Sequence, residues 1–100
     1  MLVTTGSTDE AYKIGKSIVE QRLAACCSII PKIQSIYWWD DKITEDAEVL
    51  LLVKTVKSVE KRLIEEIKSL HSYDIPEIIS ITLNGGNEQY FQWINESVIP

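Results

Sequence analysis

Few side chains of this 100-residue chain could bind a metal ion or take part in covalent chemistry. His71 is the only histidine, Cys26 and Cys27 are the only cysteines, and Glu77 directly follows Pro76. Thiolate, imidazole and carboxylate are the sulfur, nitrogen and oxygen ligands that zinc and copper take in proteins. We therefore treat Cys26 or Cys27, His71 and a carboxylate, of which Glu77 stands out, as candidate metal ligands, although no CxxC or HExxH spacing defines a site.

The same residues also have ordinary structural explanations. Adjacent cysteines can be two small apolar groups in a core, and His71 can end a helix, where a cation favours the last carbonyl groups. On a strand Cys26 and Cys27 would point to opposite faces, so no disulfide between them is expected. Cys26 and His71 could form a nucleophile–base pair, but no oxyanion-hole loop is evident. We expect a protein that is not an enzyme.

Lys54 is a charge near the end of the apolar run "EVLLLVKT", residues 48–55. A charge beside a buried strand requires a carboxylate partner or a ligand. Glu48 and Glu77 are the candidate partners, and an ion pair with one of them is the first alternative. A ligand contact is the second. The glycines of "NGGN" lack a phosphate-loop context and indicate a turn.

The composition excludes several functional classes. A net charge of −5 and a pI near 4.8 argue against nucleic acid, whose phosphates require a basic surface, and disfavour an anionic membrane. No apolar run is long enough for a membrane span, and no signal-peptide pattern is present. We expect one cytoplasmic domain over residues 1–100.

Periodicity predicts the order β-α-β-β-α-β followed by a last helix. Residues 1–5 form a first strand, and Ser7 with Glu10 predicts a capping box that starts a helix. Residues 26–40, with a bulge or bend at Pro31 and an edge position there, form a long hairpin with residues 48–55. A second helix ends before Pro76, the alternating "EIISITL" predicts a strand, and Asn87 caps the last helix. The fold class is therefore α+β, a ferredoxin-like βαββαβ sandwich with a long β2–β3 hairpin and a C-terminal helix.

The stretch "SIYWWDDKI", residues 35–43, places large aromatic side chains on both faces of this hairpin. We expect Ile30, Ile36 and Trp38 on one face. The other face is expected to carry Ile29, Ile33, Tyr37 and Trp39. Helices cover only one face of such a sheet, so the other would be a large exposed apolar patch. This pattern predicts self-association as a symmetric homo-oligomer.

Several segments together resemble the CutA divalent-cation tolerance family. They are "LAAC" at 23–26, "PKIQSIYWW" at 31–39, "EVLLLVKT" at 48–55, "HSYDIPEII" at 71–79 and "YFQWI" at 90–94. The resemblance runs from Thr4 to Trp93. One departure is Cys26-Cys27-Ser28, where the family commonly has Cys-Val-Asn. The extra thiol offers either a second soft ligand or a replacement for valine in packing.

The resemblance implies a homotrimer that binds Cu(II) or another divalent metal ion and takes part in the response to metal ions. Its implied metal ligands are His71, Cys26 and Glu77. The remaining implied cleft residues are Tyr37, Trp39, Glu48, Lys54, Tyr90 and Trp93.

Two alternatives remain open at this stage. The trimer also resembles the PII-type signalling proteins, which suggests a sensing module that holds a small ligand in clefts between subunits. Lys54 and the aromatic side chains would form that pocket. A purely structural trimer without a ligand is the other alternative.

Overall fold

Four antiparallel strands and three α-helices follow one another in the predicted order. The computed structural model describes residues 1–100. The sheet order is β2-β3-β1-β4, which confirms the ferredoxin-like α+β class and places β3 inside the sheet and β2 at an edge. The elements are β1 (Leu2–Thr5), α1 (Thr8–Glu20), β2 (Cys26–Trp39), β3 (Lys42–Lys54), a 3-10 turn (Lys57–Val59), α2 (Glu60–Leu70), β4 (Ile78–Ile79) and α3 (Glu88–Ser97).

The core lies between one face of the sheet and the helices. It contains 14 buried apolar residues, with Val3 and Leu51 from the strands packed in the same cluster as Ile14 of α1 and Leu63 of α2. Val53 and Leu51 alternate with the half-buried Leu52, as expected for a strand whose two faces differ. None of the three α-helices combines the length and the hydropathy needed to cross a membrane.

Helix α1 begins with half of the predicted capping box. The Ser7 Oγ accepts a hydrogen bond from the backbone N–H of Glu10 at 3.2 Å. The Glu10 carboxylate instead accepts a bond from the Ser72 N–H at 2.9 Å, so it links α1 to the loop after α2. The capping of α3 is confirmed, because the Asn87 Oδ1 accepts from the Gln89 N–H at 3.0 Å.

The long hairpin contains a one-residue bulge that corrects the predicted faces. Ile30 pairs with Leu50 and Ile33 with Glu48, so three steps along β2 match two along β3, at the predicted Pro31 bend. Relative to residues 33–39, the residues of β2 before the bulge therefore lie on the opposite face from the one that strict alternation predicts. Ile29, Ile36 and Trp38 share one face, and Ile30, Ile33, Tyr37 and Trp39 share the other. The predicted "DDK" turn is confirmed: Asp40 and Asp41 both have positive φ, 52° and 57°, which suits a two-residue hairpin turn.

The strand predicted for "EIISITL" is wrong in length, because β4 covers only Ile78–Ile79. In the antiparallel register Val3 pairs with Ile78 and Leu2 with Ile79. Continuing this register leads to Met1, so residues 81–83 face no residue of β1. The alternating pattern is present, but a strand also requires a partner. Ile81 and Leu83 remain 57% and 63% exposed.

Candidate functional site

His71 is held by hydrogen bonds on both ring nitrogens. Its Nε2 lies 2.7 Å from the Thr4 carbonyl oxygen, and its Nδ1 accepts from the Tyr73 N–H at 3.1 Å. A carbonyl only accepts and an amide N–H only donates, so Nε2 carries the proton and Nδ1 the lone pair. His71 follows the last residue of α2, as the helix-end alternative predicted, but it bonds to β1 rather than to the helix carbonyls.

Tyr73 connects this loop to the hairpin. Its hydroxyl donates to the Glu48 Oε2 at 2.9 Å, and its ring centroid lies 4.8 Å from that of His71. Glu48 is only 8% exposed, so this hydrogen bond replaces contact with water for a buried carboxylate. Burial and the bond to Glu48 raise the pKa of Tyr73. A Cβ at Gly6 would lie 3.2 Å from the Tyr73 hydroxyl, which explains why a glycine suits that position.

Tyr37 forms a similar pair with Asp46. Its hydroxyl donates to the Asp46 Oδ2, and this bond raises the pKa of Tyr37. Asp46 and Glu48 are two residues apart on β3 and so share a face. We call Tyr37, Asp46, Glu48 and Tyr73 the tyrosine–carboxylate cluster. The charges of Asp46 and Glu48 act on both tyrosines, which places the four side chains in one neighbourhood.

Cys26, Ser28 and Lys54 form a second group, where β2 begins and β3 ends. Cys26 pairs with Lys54 in the strand register. The Lys54 Nζ lies 2.6 Å from the Ser28 Oγ and 3.6 Å from the Cys26 Sγ. The predicted ion pair of Lys54 with Glu48 or Glu77 is wrong. Glu48 is six residues back along β3, about 20 Å at the rise of an extended strand, and neither carboxylate lies within salt-bridge distance.

Cys27 points away from this group, towards α1. A Cβ at Gly15 would lie 3.1 Å from the Cys27 Sγ, so the thiol packs closely against the helix. Burial raises the pKa of Cys27 to about 11. The extra thiol of the Cys26-Cys27-Ser28 segment therefore occupies a packing position, and both cysteines are free thiols.

The three predicted metal ligands are not brought together in one chain. Cys26 is beside Lys54 at the end of β3, His71 is bonded to Thr4, and Glu77 is exposed just before β4. Thr4 pairs with Leu50, four residues from Lys54 along β3. No group of three or more histidine, cysteine or acidic side chains is placed to hold a metal ion. This ligand set stays a prediction.

The other predicted cleft residues are also distributed over the molecule. Tyr90 and Trp93 form an aromatic pair on α3 with centroids 5.4 Å apart, and Trp39 lies 58% exposed at the hairpin tip. Sequence reasoning did not name Tyr73, Asp46 or Ser28 as candidate site residues, although each has a defined polar contact. The i, i+2 spacing of Asp46 and Glu48 on a strand was the available signal for the cluster.

The fold and these polar groups define a ferredoxin-like protein with an unusually long, largely exposed hairpin, and the comparisons give the family. The family model "CutA1 divalent ion tolerance protein" matches residues 1–97. The chain is 43% identical over 97 residues to the divalent-cation tolerance protein CutA of Thermus thermophilus, which covers 97% of this chain and 94% of that protein. The chain belongs to the CutA1 divalent ion tolerance family.

Further relatives agree with this assignment. The solved structure of the divalent cation tolerance protein (Cut A1) from Thermus thermophilus matches with a TM-score of 0.95, at 43% identity, over 97% of this chain and 94% of that one. Protein CutA 1, chloroplastic, of rice is 41% identical over 95% of this chain. The chain spans only 54% of the length of that rice protein.

The different surroundings of the two cysteines lead to a testable prediction. In Cys26→Ser, the rate at which iodoacetamide alkylates Cys27 should rise with pH through about 11, because burial disfavours the reactive thiolate. The same variant unfolded in urea is the control. There the rate should rise near the ordinary value of 9.0. Identical pH profiles for the folded and unfolded chain would contradict the burial of Cys27.

Proposed function

We propose that this protein is a non-catalytic, trimeric divalent-cation tolerance protein that binds copper or a related divalent metal ion and acts in the response to metal ions. The observation that carries the proposal is the match to the CutA1 family over residues 1–97. Relatives with about 40% identity are named divalent-cation tolerance proteins or CutA proteins. The cytoplasmic location and the absence of nucleic-acid and membrane partners stay predictions from the sequence.

Assembly is supported by apolar surface that one chain leaves uncovered. Trp38 is 71% exposed on one face of the hairpin and Trp39 58% exposed on the other. Ile36 and Ile43 next to them are also exposed. A stable monomer rarely exposes large apolar side chains side by side, as Ile36, Trp38 and Ile43 are on one face of the hairpin. Copies of the same chain are the simplest cover, because homo-oligomers with closed symmetry are the common solution.

The sheet edge supports the same proposal. Residues 81–83 keep the alternating pattern of a strand but find no partner in β1, and the outer edge of β2 is also free. Two unpaired edges of one sheet are suited to pairing between subunits in a head-to-tail arrangement, which closes into a ring when the rotation between subunits permits.

The metal site of this proposal lies between subunits. Cys26, His71 and Glu77 are separated within one chain, so a site built from them would combine residues of neighbouring copies. At Cys26 a metal ion would take the place of the Lys54 ammonium, whose Nζ now lies 3.6 Å from the Sγ. At His71 one ring nitrogen would give up its present partner, Thr4 or Tyr73.

The first prediction of this proposal concerns the hairpin tip. Light scattering should give a mass three times that of the 11.4 kDa subunit. Trp38→Glu and Trp39→Glu should weaken assembly by about 2 kcal/mol or more per interface, because each places a charge in a desolvated contact. Tyr12→Glu is the matched control, since Tyr12 is 60% exposed on α1, away from the hairpin, and should leave the mass unchanged. A wild-type mass of one subunit at micromolar concentration would refute the trimer.

The second prediction concerns the metal. Calorimetry should show that Cu(II) binds more than about tenfold more weakly to His71→Ala and to Cys26→Ser than to the wild type, because each removes a ligand. Cys27→Ala is the matched control, because Cys27 faces α1, and its copper affinity should be unchanged. Copper binds tightly to many sites, so the loss between variants is the informative quantity, not the affinity itself. Unchanged affinity in both ligand variants would remove these residues from the metal site.

A further inference from the structure

An asparagine–glycine pair lies in the connection between β4 and α3. Asn84 and Gly85 are both exposed and belong to no helix or strand. They begin the "NGGN" segment, which follows residues 81–83 and takes no part in the proposed metal site or in the hairpin contacts. Asparagine is one of the thermolabile residues of proteins. Whether an asparagine reacts depends on the freedom of its side chain and of the peptide N–H that follows it.

Both groups of this pair are unrestrained within the chain. Neither the Asn84 side chain nor the Gly85 N–H takes part in a hydrogen bond. A Cβ at Gly85 would meet no heavy atom within 4 Å, whereas a Cβ at Gly86 would lie 3.0 Å from the Phe91 ring. The connection is therefore packed against α3 at Gly86 and open at Asn84 and Gly85. Glycine also samples the widest range of backbone conformations.

The other two asparagines of the chain are held by hydrogen bonds. The Asn87 Oδ1 accepts from the Gln89 N–H at 3.0 Å, as the cap of α3. Asn95 lies within α3, and its Nδ2 donates to the Phe91 carbonyl oxygen at 3.1 Å. Each of the two is followed by a glutamate rather than a glycine. Asn84 is thus the only asparagine of the chain that combines a free side chain with a following glycine.

We propose that Asn84 is a site of spontaneous deamidation through the backbone nitrogen of Gly85. Hydroxide removes the Gly85 amide proton, and the nitrogen then attacks the Asn84 Cγ to close a cyclic imide. The Cγ–Nδ2 bond breaks, and the leaving nitrogen takes a proton from water and departs as ammonia, which restores the hydroxide. Water then opens the imide at either carbonyl group. The reaction is intramolecular, because its two groups belong to neighbouring residues, and it requires no oxidant or metal ion.

The reaction changes both the charge and the main chain of this connection. Either product replaces a neutral amide by a carboxylate, so the net charge becomes one unit more negative than −5. Opening at the Asn84 main-chain carbonyl gives isoaspartate, in which the main chain runs through Cγ and gains one carbon atom. That carbon lies between residues 81–83 and α3. The modification depends on neither the proposed trimer nor the proposed metal site.

The experiment is to age the full-length protein at neutral and at mildly alkaline pH and to digest it with trypsin. The chain has no lysine or arginine after Lys68, so the peptide 69–100 contains all three asparagines. Fragmentation of this peptide in a mass spectrometer locates each conversion. Asn84 should convert at least about tenfold faster than Asn87 and Asn95, whose hydrogen bonds must first open. Conversion of Asn84 should be faster at alkaline pH, because the attacking nitrogen must lose its proton.

A variant of the attacking residue gives a second comparison. Gly85→Ala should slow the conversion of Asn84 at least about fivefold, because a Cβ restricts the backbone at the attacking nitrogen. The substitution introduces no clash, since the position is open. An equal rate in wild type and Gly85→Ala would overturn the proposal. Conversion of Asn84 no faster than that of Asn87 and Asn95 in the wild type would also overturn it, as expected if another copy of the chain covers the connection.

Discussion

The β2–β3 hairpin is much longer than β1, the strand that pairs with β3, and the exposed aromatic tip of the hairpin results from this difference in length. β2 has 14 residues and β3 has 13, whereas β1 has only four. Only Val49 to Leu52 of β3 pair with β1, so residues 42–48 form a two-stranded ribbon with β2 alone. A two-stranded ribbon has no second layer of its own and is marginal in water. The molecule is accordingly elongated, 44 × 26 × 21 Å.

The polar groups are concentrated where this ribbon leaves the four-stranded sheet. His71 ties the end of α2 to β1, and Tyr73 ties the next turn to Glu48 at the start of the ribbon. Glu10 fixes the same loop from α1 through Ser72. Of the groups involved, Glu48 is buried, and removing its partner would leave a buried carboxylate without a hydrogen bond. These contacts link α1, the loop after α2 and β1 to the base of the hairpin.

Most of the fold could be predicted from the sequence because the helices and the central strand have local signals. Ser7, Asn87 and the Asp40–Asp41 turn are examples in which a few neighbouring residues determine the conformation. The faces of Ile29 and Ile30 relative to residues 33–39 were predicted wrongly. Pro31 indicated a bulge or bend, but strict alternation was applied through it and did not count the extra residue. The length of β4 could not be predicted either, because it depends on how far β1 extends.

The candidate site was less accessible to prediction because its contacts are tertiary. Lys54 was expected to find a carboxylate, but the strand register places it opposite Cys26, with the hydroxyl of Ser28 nearby. The residues suggested by the family resemblance are spread over β2, β3, the loop before β4 and α3. In the assembly that we propose, other copies of the chain would bring these side chains together.

We propose that one chain leaves its sheet incomplete and that copies of the same chain complete it. Hydrogen–deuterium exchange of the amides of residues 81–83 tests this most directly, because these residues have no strand partner within the chain. We predict that they exchange at least about tenfold more slowly at micromolar concentration than in a Trp38→Glu variant diluted to the single-subunit state. Equally fast exchange in both samples, at the rate of an unstructured peptide, would contradict the claim.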